Sequence, residues 1–326
     1  MKFPHKPTPL ELEQVYKEGF PGWIWNKQVE GEWNEFCSSL PDLYYLSPEI
    51  KDLHKTRPRA LLFLARELYD PGAFADEAQT TGDCTSHGSR GARDITRAVE
   101  VMNGQPELYY KRGATEPTYG ARGKRGQGMD PARAARFETE YGFLFREIYK
   151  DVNKGINLDL SRYNANIGDN WGSSGVPESV KEVCKQYNVG QAIVPKTELE
   201  ALDCFAAGYA CHSGQSWGTK ATQTSTGINR KSGSWNHAMA SGGYDLTSEF
   251  FKEPVVFVHN SWSVWNDVNP VWKANEDVYG PWIPGTIVVS LDEWIKYFFG
   301  SGSIYFYSDI KSYPINQLPQ MVTGIL

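Results

Sequence analysis

The spacing of apolar and polar positions changes character along the chain. Downstream of Cys84, Ile95, Ala98, Val99 and Met102 recur at helical intervals, and Gly88, Gly91 and Ala92 carry the same face back toward the cysteine. This pattern predicts a long helix with Asp83 as N-cap, Cys84 in the first turn and Gly104 just past the end. The small residues on its face predict close approach by another element. DPARAARFETEYG predicts a second helix, with Asp130 as N-cap, Pro131 in the first turn and Gly142 as the stop. RPRALLFLARELYDPG reads as a helix ending at Pro71-Gly72, and residues 177–187 read as another. Thr197 to Glu200 reads as a capping box opening a short helix that ends near Gly208. Past residue 210 the runs PVVFVHNSW, GTIVVS and SIYFYSD are short, β-branched and aromatic, which predicts strands. Helices therefore come first and strands later, an α+β pattern in two lobes. Residues 1–55 show no sustained period and read as an N-terminal arm with one helix near 9–19.

Composition narrows the function classes. A chain of 326 residues with 11 Trp and 18 Tyr can build a large core. A net charge of -6 argues against a nucleic-acid partner. No apolar run approaches the ~18 residues a membrane span needs. The polar start MKFPHKPTPLELEQ is unlike a secretory signal, so the expected location is cytoplasmic. Five cysteines, an odd number, do not suggest a disulfide framework and leave at least one free thiol.

Candidate chemistry centres on QTTGDCTSHG. Unpaired N–H groups and the helix dipole at the first turn favour an anion, so the Cys84 thiol is expected to ionise more readily than usual when a cation is also near. A thiol nucleophile needs a base and a group that orients the base. Of the six histidines, two stand in telling contexts. SWNHAMASGGYD puts His237 at the start of a strand, and VVFVHNSWSVW ends an apolar strand on His259-Asn260 with Trp262 two residues on.

Cys84, His237 and Asn260, in that order and in those contexts, resemble a papain-like cysteine peptidase. The intervals are slightly longer than the ~130–150 residues usual for this arrangement. The resemblance implies a two-lobed papain-like fold over roughly residues 74–310: a helical lobe at about 74–200 and an antiparallel β-barrel-like lobe at about 201–315. Residues 56–326 would form this domain, with the arm at 1–55. It implies that Cys84 attacks a carbonyl, His237 moves the proton, Asn260 orients the imidazole and Trp262 shields that hydrogen bond. GQGMDPARAARFETEYG resembles the family's substrate-binding glycine stretch and places Gly126, Gly128 and Met129 along the cleft. ATEPTYG at 114–120 resembles a subgroup encoded by bacteria and tailed phages. The family's oxyanion glutamine lies six residues before the cysteine. Here Ala78 holds that position and Gln79 follows it, so Gln79 is the candidate donor. The motif after Asn260 is NSWS rather than NSWG, and the cysteine often found shortly before the nucleophile is missing.

The leading expectation is thiol-dependent cleavage of peptide bonds in a peptide or protein substrate, with no cofactor. The alternative is a structural or interaction protein, for example a phage virion component with a dormant site, held to protein neighbours through its arm. A third reading is a cell-wall amidase or transpeptidase using the same triad.

Other features have plainer readings. His87 is expected on the helix surface. Cys211-His212 beside Cys204 is a weak metal candidate, because adjacent strand residues face opposite sides. No metal is implied. Lys111, Arg112, Arg122, Lys124 and Arg125 read as a solvated loop rimming the cleft, and Trp23, Trp25 and Trp33 as packing of the arm.

Overall fold

The computed structural model describes residues 27, 28, 31, 32, 35, 43–104, 110–187 and 189–308. The helix expected near 9–19 and Trp23, Trp25 and Trp33 lie outside these residues. Eleven strands carry the labels used below: β1 Arg59–Leu61, β2 Ile148–Asp151, β3 Ile156–Asp159, β4 Gln191–Ile193, β5 Cys211–Gln215, β6 Gly218–Thr219, β7 Lys231–Gly233, β8 His237–Asp245, β9 Val255–His259, β10 Thr286–Ser290 and β11 Ile304–Ser308. Seven of them form one sheet in the order β10-β9-β8-β5-β11-β4, with β1 also on β8. All its pairings are antiparallel. Two small hairpins, β2-β3 and β6-β7, stand apart.

The expected α+β class is what the chain adopts. The long helix runs Cys84–Met102, with Gly104 at φ +69° beyond it. The second helix is Pro131–Glu140, capped by Asp130 accepting from Ala132 N–H at 2.8 Å. Residues 178–184 are helical, followed by a 3-10 turn, and Glu198–Ala206 is the short helix opened by Thr197. RPRALLFLARELYDPG departs from the single helix expected of it. It begins as β1 and becomes a helix only over Phe63–Tyr69, because Arg59, Ala60 and Leu61 pair with the end of β8.

Two glycines explain how the long helix sits on the sheet. A Cβ on Gly91 would lie 2.9 Å from the Ala240 Cβ, and one on Gly88 would lie 3.2 Å from the Met239 carbonyl carbon. Only bare Cα positions let the helix settle this closely onto β8. A third glycine allows β1 to join. Gly243 has φ +136° in a bulge of β8, and any side chain there would collide with Ala60 O.

The helix is buried nearly all round, beyond the one apolar face the sequence reveals. Several of its polar residues are paired within the core. Glu138 accepts from Ser89, Arg93 and Thr118, each at 2.7 Å, and Ser89 also meets Tyr307 at 3.0 Å. Residues 43–56 are fastened to the helix Glu198–Ala206 by buried Asp203. That carboxylate accepts from Tyr44 Oη at 2.8 Å and from the backbone N–H groups of Asp52 and His54, and it contacts His54 Nδ1 at 2.6 Å.

Candidate active site

Three elements converge at one end of the sheet. Cys84 is the first residue of the long helix, His237 opens β8 and Asn260 follows β9. The backbone N–H of Ala238 donates to Cys84 Sγ at 3.3 Å. His237 Nε2 lies 2.9 Å from Asn260 Oδ1. Since an amide oxygen only accepts, Nε2 carries the proton and Nδ1 is the basic nitrogen of the neutral ring. Trp262 stacks on that imidazole, with centroids 4.7 Å apart and planes 27° apart, and Trp235 packs against Trp262 at 4.8 Å. Indole thus lies against the imidazole that bonds Asn260. The loop bearing Asn260 is set by its own N–H, which donates to Gly285 O at 3.0 Å.

Burial works against the easier ionisation expected of Cys84. Burial pushes the thiol up to about 12, and the neighbouring Asp83 carboxylate adds to this, while the Ala238 N–H and Thr85 oppose it. Burial also pushes His237 down to about 4, with Asn260 opposing and His87 reinforcing. Cys84 and His237 are both 0% exposed, and for each group burial favours the neutral form. A helix N-terminus lowers a thiol pKa where the anion keeps its solvation or a cation, and at Cys84 desolvation outweighs it.

Gln79 is held by the residue after Asn260. Its N–H donates to Ser261 O at 3.0 Å, its Oε1 accepts a short bond from Ser261 Oγ, and its Nε2 donates to Thr81 O at 3.0 Å. The serine in NSWS has its own geometry. Ser263 takes φ +61°, the left-handed region glycine would favour, and its Oγ donates to Ala75 O at 2.8 Å.

The glycine stretch is stitched to the turn before the cysteine. Gly128 N–H donates to Gly82 O at 3.1 Å, and Gly82 N–H donates to Gln127 Oε1 at 3.1 Å. Gly126 and Gly128 take φ of +85° and +83°. Met129 O accepts from Thr85 Oγ1 at 2.9 Å, but the Met129 side chain is buried against Tyr119 and Ala134 instead of being offered to a cleft.

Two plainer readings need correction. His87 is 3% exposed, not a surface histidine. It packs edge-on to Tyr163 at 5.1 Å, and its Nε2 lies 3.3 Å from Asp83 Oδ2. Tyr163 Oη donates to that same oxygen at 2.7 Å and accepts from Thr80 N–H at 3.2 Å. The sequence signal was the four-residue step from Asp83 to His87; Tyr163 arrives from a distant loop and left none. The basic stretch is also less solvated than expected. Arg122 is buried over Tyr119 and donates to Gly168 O at 2.7 Å, and Arg112 forks onto Asp70 at 2.6 and 2.7 Å.

His212 is stacked on Tyr307 and pushed down to about 3 by burial. His259 is stacked on Phe74. Among the described residues no group of three or more His, Cys, Asp or Glu is placed to hold a metal, and Cys84, Cys184, Cys204 and Cys211 are free thiols. No described helix is long and apolar enough to cross a membrane.

No protein-family model matches the chain, and no curated protein matches it by sequence. Among solved structures, the chain is similar to xylellain, a cysteine protease from Xylella fastidiosa, at 11% identity and TM-score 0.47, covering 90% of this chain and 92% of that one. It is similar to proCathepsin B S9 from Trypanosoma congolense at 12% identity and TM-score 0.49, covering 90% and 87%. It is similar to the proform of the Amb a 11 cysteine protease, a ragweed pollen allergen, at 12% identity and TM-score 0.46, covering 93% and 76%.

Proposed function

We propose that this chain is a papain-like thiol hydrolase that cleaves peptide bonds through Cys84, His237 and Asn260. One observation carries the reading. The Asn260 Oδ1 bond to His237 Nε2 at 2.9 Å leaves Nδ1 as the base, on a residue whose neighbour Ala238 touches Cys84 Sγ. In the mechanism, Nδ1 takes the thiol proton as Sγ attacks the carbonyl carbon, and the same nitrogen then protonates the leaving amine. Water hydrolyses the resulting thioester and restores the thiol. The Cys84 N–H and the Gln79 amide serve as oxyanion donors. Gly126 and Gly128 border the substrate path.

The neutral, buried state of the thiol and imidazole favours a second reading, an interaction protein with a dormant site. The two part on one experiment. Purified protein is treated with an electrophile selective for activated thiols, mapped by peptide, and assayed on unfolded protein substrate. Labelling concentrated on Cys84 and lost in His237→Ala, with proteolysis lost in a folded Cys84→Ala, supports the hydrolase. Labelling of Cys84 no faster than of Cys184, Cys204 and Cys211 would leave the dormant reading.

A further inference from the structure

The cluster at Asp83, His87 and Tyr163 lies outside the triad, at the start of the helix that Cys84 opens. Asp83 is 1% exposed and immediately precedes the thiol. Its Oδ2 holds the Tyr163 hydroxyl, and among the described residues its Oδ1 has no hydrogen-bond partner and its ionic neighbour is His87. A buried carboxylate left without a countercharge is strongly unfavourable. Among the described residues neither His87 ring nitrogen has a hydrogen-bond partner, so the imidazole is held by packing on Tyr163 and by its approach to Asp83.

The other charges around His87 are already matched. Glu77 is paired with Arg90, from the same helix, and with Arg146, which also pairs with Glu116. Burial alone would raise the Glu77 carboxyl, yet these arginines hold it well below the usual carboxylate range. Asp169 faces Thr81 and is held by Arg122. From the loop after β3 the group facing His87 is Tyr163, and on β8 the charge of His87 adds to the lowering of His237.

We propose that Asp83 and His87 are a positioning pair that sets the charge facing Cys84 and His237, with the Tyr163 hydroxyl orienting the carboxylate. The Asp83 carboxylate, one residue from the thiol, opposes a negative charge on Sγ, and the His87 imidazole, 3.3 Å from its Oδ2, moderates that opposition. The balance between them determines how readily the neutral pair at Cys84 and His237 can become charged. The inference builds on the proposed function, but its test reads the thiol and not turnover.

The test is alkylation of Cys84 by iodoacetamide from acid to alkaline pH, mapped by peptide, in the full chain and in Asp83→Asn, His87→Gln and Tyr163→Phe. Asp83→Asn is expected to speed alkylation at neutral pH by about three- to tenfold, with the midpoint falling by up to about one unit. His87→Gln is expected to slow it by a similar factor, and Tyr163→Phe to slow it less. The inference is overturned if Asp83→Asn leaves the rate unchanged. It is overturned equally if all three variants shift Cys84 the same way, or if Cys184, Cys204 and Cys211 accelerate in parallel, as a loosened fold would produce. Wild-type Cys84 reacting no faster than those cysteines, yet accelerated by Asp83→Asn, would count against the hydrolase and for the pair.

Discussion

The Ala238 N–H donates to Cys84 Sγ at 3.3 Å, so the residue next to His237 touches the thiol across the junction between helix and sheet. That contact depends on how closely the long helix lies on β8, and hence on residues a turn or two away from the chemistry.

Gly91 is the sharpest test of that dependence. Alanine there gains up to about 1 kcal/mol of helix propensity. Its methyl would nevertheless meet the Ala240 Cβ at 2.9 Å, and overpacking of this kind costs about 1–3 kcal/mol. Gly91→Ala is expected to lower the urea midpoint and to slow any Cys84-dependent reaction. Gly88→Ala, whose nearest contact is 3.2 Å, is expected to be milder in both respects.

Asn260→Ala removes the acceptor from His237 Nε2 and frees the ring to turn. A hydrogen bond of this sort is worth about 1–3 kcal/mol when its partner is buried. A fall in kcat of roughly 10- to 100-fold is expected, with KM nearly unchanged, in steady-state kinetics on a peptide substrate.

Gln79 sits one residue closer to the cysteine than the resemblance would put it, yet it is bound to Ser261, beside Asn260. If it donates to the oxyanion, Gln79→Ala should lower kcat by about 100-fold or more. Ser261→Ala, which removes only the hydroxyl that orients it, should lower kcat less. Equal losses in the two variants would assign Gln79 to loop structure alone.

Three buried histidines predict an acid limit to stability. Burial pushes His212, His237 and His259 down to about 3, about 4 and about 3, from an ordinary value of 6.5. The unfolded chain takes up these protons as pH falls through 6.5, and the folded chain does not until about 3–4. Stability is therefore full above 6.5 and declines as pH drops through this window, by about 1.4 kcal/mol per pH unit for each histidine. Urea midpoints measured across the window should show this slope, and His212→Gln should flatten it by one proton.

Glu138 ties the long helix to the helix Pro131–Glu140 by accepting from Ser89, Arg93 and Thr118. Glu138→Ala would leave the Arg93 guanidinium buried beside an empty partner position. A loss of about 3–5 kcal/mol in denaturant unfolding is expected.

Much of this architecture is written locally. The periodicity after Cys84, the Asp130 and Thr197 caps and the aromatic strand runs depend on a few residues each, so the sequence alone shows the α+β order and puts Cys84 at a helix start. The contexts of His237 and Asn260 were legible for the same reason. Features formed by distant segments were not. Arg59–Leu61 reads as helix until β8 offers it a partner, and His87 reads as a surface residue until Tyr163 covers it. The charge state of the site belongs to the same class. A helix N-terminus favours an anion by its local dipole, but desolvation by the surrounding lobe and the Asp83 carboxylate outweigh it. The sequence by itself determined which groups can react. Only the tertiary structure decided their protonation, because desolvation is a property of everything packed around a group and not of its neighbours in the chain.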